Sequence, residues 1–342
     1  MKEIYSTLLK PGVWKNTERY PRFSTVDAQR YVSEVHLSPT KRARVCMHSR
    51  LTDQLQEMFI AFDGTSYIRP SYHVGRAESI HIMQGICKYI FFDIQGNHIH
   101  DVRLGPYAGD LPFYCRIPAD MPHSLVILSH HAFAHEVCIG PFEREKTIFP
   151  AWAAECSAEH EQIAIRQALS MRPVEALQPC QFEHVGDGYY RVKEGISYVA
   201  RRDLDDLKSR LSDSVWTSVE LSMQPNEQAD LQEKFVVAIG PYKVRPRSHP
   251  DRDVSFHILE GQADCVLFDD HGLIREVISL GDGNHVYVRV PRGVFYSLIR
   301  KCPCLVIHEA TSGPVHAGSE VWAPWAQSDA NLDEQLKQFA RR

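Results

Sequence analysis

The residues of this chain best suited to chemistry are His73, Glu78 and His123, which with Gly64, Ser71, Gly85 and Pro118 make up its densest group around metal-capable side chains. Imidazole nitrogens and carboxylate oxygens bind divalent ions, and two of the first with one of the second leave coordination positions open. Such a set suits non-haem Fe(II) oxygen chemistry, or Zn(II), Mn(II) or Ni(II) acting as a Lewis acid. Tyr72 and Glu136 lie near these positions in sequence or in pattern and could move protons. Arg69, Ser71 and Arg116 could hold a polar substrate through hydrogen bonds; the two arginines could equally fix loops to the fold. His73 and His123 are far apart in the chain, so any joint chemistry depends on the elements that carry them.

Those elements come in two copies. Residues 57–93 match residues 233–269 at a constant shift of 176 without a gap, with 13 of 37 positions identical, among them Glu57/Glu233, Gly64/Gly240, Arg69/Arg245, His73/His249, His81/His257 and Gly85/Gly261. The match resumes at a shift of 173, where Arg116, Pro118, His135, Glu136, Gly140 and Trp152 meet Arg289, Pro291, His308, Glu309, Gly313 and Trp325. Within each copy, short apolar and β-branched runs such as 58–62, 80–83, 89–92, 125–128 and 136–139 are punctuated by Gly, Pro, Asn and Asp, the pattern of an all-β fold joined by hairpins. The bridge at 153–177, rich in Ala, Glu, Gln and Leu, predicts a helix, as do Leu332, Leu336 and Phe339 in the tail.

The spacing Gly64, Ser71, His73, Glu78, Gly85, then Pro118 and His123, resembles the two sequence blocks of the cupin family. Ser71 stands where that family has its first His, and Asp120 where it has a Gly. The resemblance implies a small double-stranded β-helix in which His73, Glu78 and His123 converge on one divalent metal, because alternate residues of a strand face the lumen. Arg69-Pro70-x-x-His73 with Glu78, Gly85, Phe92-Asp93, Pro118, His123, Glu136, Gly140-Pro141 and the Trp-Ala end resembles, more narrowly, the WbuC-type cupin metalloproteins, as does Arg44-Val-Cys46-Met-His48 ahead of the barrel. The narrower likeness covers about 42–155 well and 215–326 more loosely, and implies a fold and a metal more than a substrate. In the second copy the shifts put Arg247, His249, Val254 and Tyr296 at the Ser71, His73, Glu78 and His123 positions, so no comparable metal is expected there.

The expected organisation is therefore an N-terminal cupin with the metal site over 1–155, a mostly helical linker over 156–195, a C-terminal cupin with a degenerate site over 196–328 and a C-terminal helix over 329–342. His81 and His257 recur in both copies at a strand parity opposite to Glu78, which predicts a packing role. His135-Glu136 and His308-Glu309 also recur, which predicts a structural hydrogen bond, while His98, His100, His130 and His131 read as solvated turn residues. Scattered charge with a net of -5 offers no footprint for nucleic acid or membrane, and nine unpaired cysteines with no leader-like start place the chain in the cytoplasm. No phosphate loop, nucleophile elbow or helical zinc-protease motif is present. The reading is a metal-dependent two-barrel enzyme acting on a small polar molecule such as a sugar derivative, a monomer or homodimer. A non-haem Fe(II) oxygenase is the first version, an isomerase or epimerase with a Lewis-acid metal the second, and a non-catalytic binding or scaffold protein the rival.

Overall fold

The computed structural model describes residues 6–153, 155, 159–171, 180–212, 216–239, 244–316 and 318–326. Nine strands build the first barrel: Leu55–Asp63, Tyr72–His73, Glu78–Gln84, Cys87–Phe92, His98–Leu104, Pro112–Ile117, His123–Ile127, His131–Ile139 and Thr147–Ile148. Its larger sheet sets the first strand beside the eighth, then the third, then the sixth, all antiparallel. The opposing strands run second, seventh, fourth and fifth, with the ninth beside the second. That order is a jelly roll, or double-stranded β-helix, of the cupin type. The second copy repeats it with Leu231–Ala238, Arg247–Ser248, Val254–Glu260, Gln262–Phe268, Ile274–Gly281, His285–Val290, Phe295–Arg300, Leu305–Ser312 and Val321–Trp322.

Strand alternation divides each barrel into a lumen and an outer face. In the first, Ile60, Phe62, Ile80, Ile82, Phe91, Cys115, Ile117, Leu125 and Ala134 close on one core, which sets the parity of every neighbour. His81 and His135 fall on the outer face. His135 Nε2 lies 3.4 Å from Glu57 Oε1 and its ring stacks on Phe59, while His81 meets the edge of Phe113. The second copy reproduces this with His308, Glu233 and Phe235. These recurring histidines pack on aromatic rings, and the carboxylate beside His135 is Glu57, not the adjacent Glu136.

The chain does not divide cleanly at the bridge. Residues Glu18–Thr25 and Phe182–Val192 belong to the second compact unit, and Lys193–Asp205 to the first. The strand Arg22–Ser24 pairs with His285–Val290, and Ser197–Ala200 pairs with Pro112–Ile117. Among its described residues, the 156–195 segment read as mostly helical holds one helix, Glu159–Ser170, followed by strands Phe182–Gly186 and Tyr189–Val192. Leu169 and Ile165 of that helix pack on Ile90, Phe92 and Val126, so it covers an outer sheet face rather than only spacing the copies. Two further helices, Thr25–Glu34 and Arg201–Ser212, were not foreseen; Leu204, Leu207 and Leu211 of the latter are buried at helical spacing. The tail at 329–342 lies outside the described residues. His98 and His100 lie on a strand rather than in a turn, with His98 Nε2 2.7 Å from Asp101 and His100 between Phe91 and Tyr198. Among the described residues no helix is long and apolar enough to cross a membrane.

Trp152 and Trp325 close the two copies the same way, against Phe92 and Phe268. Gly96, at a φ of 92°, makes room for the first: a Cβ there would lie 2.7 Å from the indole. Gly96→Ala combines an unfavourable backbone region with overpacking and is expected to lower unfolding free energy by about 1–3 kcal/mol. Denaturant unfolding checks this, and an unchanged midpoint would show that the Trp152 contact yields freely.

Candidate metal centre

Three strands deliver the candidate ligands. His73 ends the short strand Tyr72–His73, Glu78 begins Glu78–Gln84, and His123 begins His123–Ile127. Ser71 and His123 exchange backbone hydrogen bonds, each 3.0 Å, so the two ligand-bearing strand ends are pinned together. Asp120 tightens the junction. Its backbone N–H donates to the His73 carbonyl, its carboxylate accepts from the Gly75 N–H, and its φ of 63° is the left-handed region that Asp tolerates better than most residues. The replacement of the usual Gly by Asp120 is thereby accommodated.

Glu78 takes one imidazole on each oxygen, His73 Nε2 at 3.2 Å from Oε2 and His123 Nε2 at 2.8 Å from Oε1. Among the described residues this is the one group of three or more His, Cys, Asp or Glu whose ligand atoms lie mutually within 4.8 Å. The two carboxylate–imidazole separations, 3.2 and 2.8 Å, are shorter than twice a metal–ligand bond of about 2.1 Å, so each pair is close enough to share one ion. The far sides of the rings are also engaged. His123 Nδ1 lies 2.8 Å from the Met121 carbonyl, an acceptor only, so it must carry its proton there and leave Nε2 free to ligate a metal. His73 Nδ1 lies 3.1 Å from Thr147 Oγ1, which can accept its proton, and 3.4 Å from Arg76 Nη2, which can only donate; the shorter contact is the one that leaves Nε2 free for a metal. The donor set and the His123 tautomer fit a divalent ion.

Electrostatics agree with the geometry. Burial pushes Glu78 towards its neutral form, but the His123 and His73 imidazoles more than offset this and hold its carboxyl below the usual range. Burial opposes protonation of His123, yet Glu78 raises it above the ordinary histidine value. Half-buried Glu136 shares the lumen parity of Ala134 and lies opposite Ile80; burial and the Glu78 charge push its carboxyl up to about 7.

The structure gives the other candidates different positions. Ser71 keeps the parity of His73, but Tyr72, between them, points to the opposite side of its strand and cannot work in the lumen. Arg69 Nε donates to the Ala153 carbonyl, its guanidinium lies over Phe149 and pairs with Glu155, so it fastens the end of the first copy. Arg116 alternates with Cys115 and Ile117, which are both lumen residues, and therefore faces outward. Thr147 was missed because its strand has only two residues and carries no periodic signal.

In the second barrel the equivalent positions hold His249, Val254 and Tyr296, and Arg247 stands where the first has Ser71. Arg247 Nε donates to Tyr296 Oη at 3.0 Å and Nη1 to Glu320 at 2.7 Å, and His249 Nε2 lies 3.0 Å from the same tyrosine oxygen. Glu309, the counterpart of Glu136, is attracted by Lys234 at 3.6 Å and Arg247 at 3.9 Å. Burial disfavours its charge, but those cations hold its carboxyl below the usual range.

Residues 24–104 match a family model described as a domain of unknown function (DUF6016). No curated protein matches the chain. Similar solved structures include a single-site variant of the Bacillus subtilis oxalate decarboxylase OxdC, at 14% identity over 80% of this chain and 72% of that one with a TM-score of 0.43. The Lactobacillus farciminis oxalate decarboxylase in complex with formate shows 14% identity over 83% and 84% of the two chains, with a TM-score of 0.43. A second B. subtilis variant shows 16% over 84% and 76%, with a TM-score of 0.44. The strand order described above defines the fold independently of these likenesses.

His123→Ala and Glu78→Gln are expected to abolish retention of a divalent ion, while His249→Ala in the second barrel leaves it unchanged. Thr147→Val, which removes only the acceptor behind His73, is expected to weaken metal affinity about 10–100-fold. Elemental analysis after exhaustive dialysis and competitive metal titration read both; full retention by His123→Ala would place the metal elsewhere.

Proposed function

We propose that the protein is a metal-dependent enzyme in which His73, Glu78 and His123 hold one divalent ion, Fe(II), and that it acts on a small polar molecule in the first lumen as a non-haem oxygenase. The observation that carries this reading is the convergence of two imidazole Nε2 atoms on one carboxylate, with each Nδ1 engaged elsewhere. Two histidines and one carboxylate with open positions are the ligand set of non-haem Fe(II) oxygenases, and a bound ion would supply positions for O2 and substrate.

The chain's own residues do the rest. His73 and His123 present their Nε2 atoms from strand ends pinned by the Ser71 and Asp120 hydrogen bonds. The apolar lumen wall of Ile60, Phe62, Ile80 and Leu125 limits water around the site. Ser71 faces the same side as His73 and can orient a polar substrate. Glu136, pushed up to about 7 by burial and Glu78, can hold or release a proton near neutral pH. That last feature favours a second version, in which an ion held by His73, Glu78 and His123 would supply Lewis-acid chemistry and Glu136 would move the proton of an isomerisation.

Oxygen uptake separates the two. Protein loaded with Fe(II) anaerobically and mixed with a panel of sugars, sugar acids and sugar phosphates is expected to consume O2 with one of them, and His123→Ala to consume none. Turnover that proceeds equally without O2 and falls on Glu136→Gln would replace the oxygenase with the isomerase. Failure to retain any metal would remove both.

A further inference from the structure

The strand Arg42–Cys46 lies ahead of the barrel proper and extends its larger sheet by pairing with Leu55–Asp63. Arg42 stands opposite Phe62, Arg44 opposite Ile60 and Cys46 opposite Met58. Directly opposed residues project to the same face of a sheet. Ile60 and Phe62 belong to the lumen core and Met58 packs against it, so both arginines face the side that holds His73, Glu78 and His123.

Both are half-buried, and among the described residues neither guanidinium has a hydrogen bond or an ion pair; the Arg44 backbone N–H donates to the Gly12 carbonyl. The carboxyl that attracts both is Glu136, which lies on the same rung as Met58 and Cys46 and is also repelled by Glu78. Burial and the Arg44 charge pull the Arg42 guanidinium below its ordinary value, with only Glu136 acting the other way. This wall of the lumen carries two cations against one carboxyl shared with the metal centre.

The second barrel shows the same rungs with the imbalance removed. Ser218 and Glu220 stand opposite Ala238 and Val236, the counterparts of Phe62 and Ile60. Glu220 and Glu309 share Lys234, at 3.1 and 3.6 Å. A cationic surplus is thus a property of the first barrel, where the metal-capable cluster is, and not of the fold.

We propose that Arg42 and Arg44 form an anion-recognition face in the first barrel, and that the molecule received beside His73, Glu78 and His123 carries a carboxylate or phosphate group. This narrows the substrate class and rests on the reading of that centre given above. Each guanidinium offers a planar fork of N–H donors that matches either oxyanion, and the partly desolvated setting strengthens the pairing.

Calorimetric titration of the full chain with succinate and, separately, inorganic phosphate tests the proposal, with and without bound metal. Wild type is expected to bind at least one of them, and the probe that binds identifies the acidic group. Arg42→Gln/Arg44→Gln is expected to lose at least about tenfold in affinity, with metal content unchanged. Arg42→Lys/Arg44→Lys, which keeps charge and bulk but loses the fork, gives an intermediate loss and guards against a double variant that fails to fold. Absence of binding by either anion to wild type, or equal affinity in wild type and variants, would overturn the proposal. Arginine-dependent anion binding in a protein that retains no metal would uphold this face while rejecting the metal-dependent reading.

Discussion

A carboxylate withdrawn from water keeps its charge only beside groups that donate to it or carry positive charge. Glu78 is such a carboxylate, 8% exposed, and its two oxygens reach the two imidazoles at 2.8 and 3.2 Å. The rest of the first barrel serves this requirement. His73 and His123 arrive from strands distant in sequence, so their ends are held together by reciprocal Ser71–His123 backbone bonds and by Asp120. Behind the rings, Thr147 and the Met121 carbonyl direct the remaining nitrogens. A divalent ion held by the three groups would satisfy the same requirement, because all three are potential ligands.

The second barrel meets a related requirement with different chemistry. Val254 takes the place of Glu78, which leaves Glu309 as the carboxylate to be neutralised, and Lys234 from the neighbouring strand and Arg247 from the opposing sheet do so. Arg247 in turn is bound by Tyr296 and Glu320. Arg247 stands at the Ser71 position and Lys234 at the Met58 position, beside the places where the first barrel keeps its candidate ligands, and the shared fold carries two different charge arrangements. The cationic wall of Arg42 and Arg44 follows the same division, since its counterpart positions hold Ser218 and Glu220.

Much of this was legible in the sequence, because repetition and alternation are strong signals. The constant shift between copies and the period-2 runs were enough to identify two related β-folds, and the joint spacing of His73, Glu78 and His123 was enough to gather them. The outward parity of His81 followed from counting residues along one strand. The same count would have sent Tyr72 and Arg116 away from the lumen, but the strand bounds it needs are set by pairing. Arg69 was ambiguous because a guanidinium that fastens Ala153 and one that binds substrate read alike. The strands at 22–24 and 197–200 escaped because they are short and their partners lie far away in sequence, and the hairpin at 182–192 because its strands are only four or five residues long. Helix Arg201–Ser212 did carry a signal in Leu204, Leu207 and Leu211, among dense charges.

The central claim is that one divalent ion sits between two imidazoles and a carboxylate of the first barrel. X-ray absorption of the metal-loaded protein tests it most directly, through the multiple scattering that imidazole rings give and the bond lengths that separate nitrogen or oxygen from sulfur. The account predicts a shell of nitrogen and oxygen with two imidazoles and no sulfur, losing one imidazole in His73→Ala. A sulfur shell, or a spectrum that His73→Ala leaves unchanged, would contradict it.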